Sequence, residues 1–203
     1  MNKICKILSA VFSPLLVPTY AVIIALWTSM LSFNPLAVRL RITLICFAIT
    51  CLAPVVAILA LYKMKLISNP GLNERKERTW PYLATIVCYA ACAWMLESVK
   101  APAWLWLFMI GGAAAAAVSL IVNRWWKISA HLAAMGGLMA VVFRMAQLHV
   151  VAPGIDFLAI VAAVVVVTGA VATARVYLGC HSLTQVIAGA ANGFLCVYII
   201  TGF

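Results

Sequence analysis

The chain has 203 residues, of which 67% are hydrophobic and 9% charged, with a mean hydropathy of +1.15. An ordinary soluble domain is about 25% charged, and here the apolar residues come in successive blocks of about 20, the length that crosses a bilayer. A water-soluble globule is excluded, and the expected fold is all-α: one polytopic transmembrane helical bundle of six to seven spans covering residues 1 to 203.

Hydropathy places seven candidate spans at residues 10 to 31, 40 to 62, 81 to 98, 103 to 122, 130 to 149, 157 to 174 and 183 to 202. The first follows Lys3 and Lys6 as a signal peptide would, but its apolar run exceeds a signal h-region and lacks a convincing cleavage site, so it is read as a span. Connections are short except for residues 63 to 80, which hold Glu74, Glu77 and five bases. No repeat or low-complexity linker interrupts the chain. Its seven cysteines form no CxxC pair and read as small buried residues.

Lys and Arg number 14 against 4 Asp and Glu, a net charge of +10. The bases fall between the apolar blocks, where anionic headgroups or anionic substrates meet them. Membrane lipids and a phosphorylated lipid are therefore the expected partners, and nucleic acid is not, because no soluble basic domain is present to hold it. Each pair of spans returns the chain to the face it left, so the 63 to 80 loop, the 123 to 131 junction and the 174 to 185 junction share one face. The positive-inside rule makes that face cytoplasmic, but the bias disappears once the bases in motif-like positions are set aside. The protein is expected in a bacterial inner membrane, with the side of the site and the oligomeric state left open.

On the shared face, His131 and His181 stand at the starts of the fifth and seventh spans, where free backbone N–H groups and the helix dipole favour an anion such as phosphate. Ser129 can cap the fifth span or donate a hydroxyl to a phosphate oxygen. Arg175 can grip two phosphate oxygens at once, or snorkel to the interface. Gln185 follows His181 by one helical turn. Its amide oxygen can hold one imidazole N–H and leave the other ring nitrogen free as a nucleophile, or it can bond a neighbouring helix. Gly189 and Gly193 have the spacing of close helix packing.

The stretch Arg175-x5-His181-x3-Gln185-Val186-x2-Gly189-x3-Gly193 resembles the third signature of the type 2 phosphatidic acid phosphatase superfamily, Ser-Arg-x5-His-x3-Asp, which often continues as Val-x2-Gly-x3-Gly. Ile128-Ser129-Ala130-His131 is similar to its second signature, Pro-Ser-Gly-His. Lys76-x-Arg78-x2-Pro81 is the nearest match to the first, Lys-x6-Arg-Pro. The resemblance covers roughly residues 63 to 203. It implies a phosphatase or phosphotransferase in which His181 attacks phosphorus, His131 protonates the leaving oxygen and later activates water, and Arg175, Ser129, Lys76 and Arg78 hold the phosphate. No metal or cofactor is implied. The chain departs from the pattern at Gln185 for Asp, Ala174 for Ser, Ile128 for Pro and Ala130 for Gly. A neutral amide orients a histidine without stabilising its charged form, so Glu74 or Glu77 would have to supply a carboxylate if one is needed.

Two rival classes remain on the sequence. A non-catalytic lipid-phosphate binder or transporter could use the same basic pocket. A bis-histidine haem protein could use His131 and His181, although haem prefers an apolar slot within the spans.

Overall fold

The computed structural model describes residues 1 to 69 and 75 to 202. Among the described residues eight α-helical segments follow one another: α1 (Asn2–Val11), α2 (Val17–Thr28), α3 (Leu36–Lys63), α4 (Thr79–Ser98), α5 (Ala103–Val122), α6 (Ala130–Gln147), α7 (Phe157–Tyr177) and α8 (Leu183–Ile200). No strand occurs among the described residues, only an isolated bridge between Ser29 and Val151. Five helices among the described residues, α3, α4, α5, α7 and α8, are long and apolar enough to cross a membrane. Helix α6 has 18 residues, but its apolar character is diluted by His131, Arg144 and Gln147. The protein is an integral-membrane helical bundle.

The first expected span is not one helix. The chain leaves helical geometry between α1 and α2, around Pro14, where a helix-interior proline would remove one hydrogen bond and clash with the preceding turn. At 12 residues, α2 rises roughly 18 Å, too short to cross a hydrocarbon core by itself. Within α3 a π-turn at Ala48–Leu52 stands just ahead of Pro54 and accommodates it without breaking the helix.

Local chemistry sets the helix ends that matter for function. Ser129 caps α6 by accepting from Leu132 N, and Asp156 caps α7 by accepting from Ala159 N at 3.2 Å. Ser182 and Gln185 form a reciprocal capping box on α8. Helix α7 ends in a Schellman turn: Gly179 takes φ +65, its N–H reaches Val176 O at 2.9 Å, and Cys180 N–H reaches Arg175 O at 3.1 Å. That tight reversal brings His181 back beside the helix that carries Arg175.

Helix α6 lies against α8 through backbone rather than through long side chains. A Cβ added at Gly136 would strike Ala190 O, one at Gly189 would strike Ser129 O, and one at Gly193 would strike Ala133 O. Between helices surrounded by lipid, van der Waals contact of this kind replaces the hydrophobic drive. Gly193→Val should therefore destabilise the bundle by about 3 kcal/mol or more, since backbone cannot yield as side chains do. Gly169 has no atom within 4 Å of an added Cβ, so Gly169→Ala should hold or raise stability by up to about 1 kcal/mol. Thermal unfolding of both variants in detergent checks the contrast, and equal effects would contradict the packing.

Candidate active site

Three junctions meet at one end of the bundle. Asn123 Nδ2 donates to Arg75 O at 2.8 Å, Arg78 Nη1 donates to Ile128 O at 3.4 Å, and Ser129 N donates to Gln185 O at 3.3 Å. The last bond ties the start of α6 to the first turn of α8 and fixes the separation of their histidines. Beneath the junctions opens a cavity of about 350 Å³. Arg78, His131, Arg175 and His181 line it, and its apolar wall includes Val17, Phe108 and Val197. Val197 is about 21 Å of helix rise beyond the first residue of α8, so the cavity runs from the cationic mouth deep into the span.

His181 is 6% exposed. Gln185 Oε1 accepts from Ser182 N at 3.2 Å and lies 3.1 Å from His181 Nδ1. A backbone N–H only donates, so the shared atom is the amide oxygen and His181 Nδ1 carries a proton that it donates. The lone pair is then on Nε2. Burial pushes the His181 pKa down to about 4; the Gln185 bond opposes this, while the nearby charges of Arg78, Arg175 and Lys127 add to it. At neutral pH the ring is uncharged and able to act as a nucleophile.

His131 Nε2 donates to Ser9 O at 3.1 Å. Arg175 Nη1 donates to Ser9 Oγ at 2.7 Å, while its buried Nε has no hydrogen-bond partner among the described residues. A buried guanidinium donor without an acceptor is costly, and an anion in the cavity would satisfy it. Ser129 is fully buried, and its hydroxyl is turned to the α6 cap. Arg78, His131, Arg175 and His181 line the cavity, Gln185 stands behind His181 and Ser129 N is bonded to Gln185 O, but the Ser129 hydroxyl is not part of the cavity wall. The Lys76 side chain and Glu74 lie outside the described residues. Glu77 is engaged elsewhere, accepting from Ser68 N at 2.6 Å. Among the described residues no group of three His, Cys, Asp or Glu side chains could hold a metal ion.

Two site residues escaped the sequence reading. Ser9 was hidden in a segment counted as the approach to a span. Tyr82 lines the cavity one turn after Arg78, and its buried hydroxyl lies near the Arg78 guanidinium and Ser119. The Arg78-to-Tyr82 spacing of one helical turn was the available signal.

No family model matches the chain, and no curated protein and no solved structure matches it significantly. The chemistry rests on these residues alone.

The His181 pKa has a sign that can be checked. Above 6.5, its ordinary value, the ring is neutral in the folded and the unfolded chain. Between 6.5 and about 4 the unfolded chain takes up a proton there that the folded chain refuses, so this residue lowers stability as pH falls through that window. The His181 ring resonances should titrate near the lower limit in protein free of anion, assigned by their loss in His181→Gln. A midpoint at or above 6.5 would contradict the buried, cation-flanked setting.

Proposed function

We propose that the chain is a membrane lipid phosphatase or phosphotransferase that works through a phosphohistidine on His181. The observation that carries this reading is the cavity whose mouth is lined by two imidazoles and two guanidiniums and whose depth is apolar. Such a shape suits a phosphate joined to a hydrocarbon chain. The motif resemblance supports the same reading, and so does the tautomer of His181, whose Nε2 lone pair is left available by the Gln185 bond.

The steps follow from the groups present. A bound phosphate dianion favours a second proton on His131. The His181 Nε2 lone pair forms a bond to phosphorus as the ester P–O bond breaks, and His131 gives its Nε2 proton to the departing alcohol oxygen. Neutral His131 then takes a proton from water as the water oxygen attacks phosphorus. The N–P bond breaks, its electrons return to Nε2, and inorganic phosphate leaves. An alcohol in place of water makes the same sequence a transfer. Arg175 and Arg78 spread the charge of the transferring group, where such a site does most of its work.

One observation favours a second reading, a non-catalytic lipid-phosphate binder: the partner of His181 is a neutral amide. Phosphate release by the purified protein from a panel of lipid phosphates separates the two. His181→Ala should abolish release. His131→Ala should slow a lipid alcohol leaving group by about 100-fold or more and nitrophenyl phosphate much less, because nitrophenolate leaves without a proton. Gln185→Asp should hold or raise the rate and Gln185→Leu should lower it. Wild type and Gln185→Asp equally silent on every lipid would establish the binder and remove the enzyme.

A further inference from the structure

The most unexpected neighbour of the site is α1. Its buried side is Ser9, with Cys5, Leu8 and Phe12 half-buried beside it. Its other large apolar side chains are exposed, Ile4 by 68%, Ile7 by 63% and Val11 by 44%. Lys3 and Lys6 are also exposed. At 3.6 residues per turn, Ile4, Ile7, Leu8 and Val11 form one continuous apolar arc, while Asn2, Lys3, Lys6 and Ser9 lie together on the polar side. An apolar arc beside a basic polar face is the pattern of a helix that lies in an anionic lipid interface. The bundle uses only part of that arc.

Ser9 holds the two donors that the proposed phosphate needs. Its carbonyl accepts from His131 Nε2 at 3.1 Å and its hydroxyl accepts from Arg175 Nη1 at 2.7 Å. Both acceptors are neutral, and a phosphate oxygen would bind the same donors more strongly. Resting on the phosphate-site reading above, we propose that α1 is a docking element for an anionic lipid surface and that seating it there withdraws Ser9 from His131 and Arg175. On the bilayer the whole arc of Ile4, Ile7, Leu8 and Val11 is buried, Lys3 and Lys6 meet anionic headgroups, and Ser9 stays on the polar side. The turn around Pro14 supplies the hinge, and the bond from Tyr20 Oη to Val11 O at 2.8 Å marks where α1 pivots on α2.

Two measurements on the full chain in lipid nanodiscs test the proposal. In the first, a fluorinated phenylalanine replaces Ile7 and is followed by fluorine NMR in phosphatidylcholine alone and with phosphatidylglycerol added. The lipid-seated resonance should grow on the order of tenfold with phosphatidylglycerol, and Lys3→Gln with Lys6→Gln should remove the growth. Identical spectra in the two lipids, or a resonance that follows protein concentration and so reports a second copy, would overturn the docking. In the second, orthovanadate binding is measured in phosphatidylcholine discs. Ser9→Ala should bind several-fold more tightly than wild type. Equal or weaker binding, or none by either protein, would overturn the occlusion. Neither readout depends on turnover, so a wild type inert on every lipid would count against the enzyme reading and leave both arms decisive.

Discussion

The arrangement depends on the backbone contact between α6 and α8. Gly136, Gly189 and Gly193 let the two helices approach until carbonyl oxygens of each stand where a Cβ would be, and the Ser129 N to Gln185 O bond locks their starts. His131 is the second residue of α6 and His181 lies two residues before α8. A side chain larger than hydrogen at those glycines would part the helices and, with them, the two imidazoles. Packing in the span thus sets geometry at the interface.

The electrostatics follow from that geometry. Two guanidiniums and two imidazoles share one cavity mouth, and none of the described acids lines it: Asp156 caps α7, Glu77 holds Ser68 N and Glu97 stands in the last turn of α4. Burial, helped by the positive charges around it, keeps the His181 ring neutral, and Arg175 Nε, without a hydrogen-bond partner among the described residues, leaves a demand for an acceptor there. Ser9 meets part of that demand with neutral oxygens, which makes it a placeholder that a true anion can displace.

The fold was largely legible because hydropathy reports burial in lipid directly. The blocks at 103 to 122, 157 to 174 and 183 to 202 match α5, α7 and α8 closely, and counting crossings put the 123 to 131 and 174 to 185 junctions on one face, where a hydrogen bond now joins them. The block at 10 to 31 misled, because hydropathy averages over a proline break that ends one helix and begins another. Gln185 on the imidazole N–H was readable from helical spacing alone. Ser129 was readable as a cap or a donor, and only coordinates show its hydroxyl at the cap. Ser9 could not be found from sequence, since nothing local to residues 2 to 11 says which helix they dock against. The Schellman turn at Gly179 was written in the chain but needs a positive φ to be recognised as the device that turns His181 back toward Arg175.

In the proposed reaction His181 Nε2 is the nucleophile, oriented by Gln185 over an anion held by Arg175. Rapid alkaline quenching of the purified protein during turnover of a radiolabelled lipid phosphate, followed by peptide mapping, tests it most directly, because phosphoramidates survive base. Label should appear on the peptide containing His181, and none in His181→Asn. Label on another residue, or steady release of phosphate with no labelled protein at any time, would contradict it.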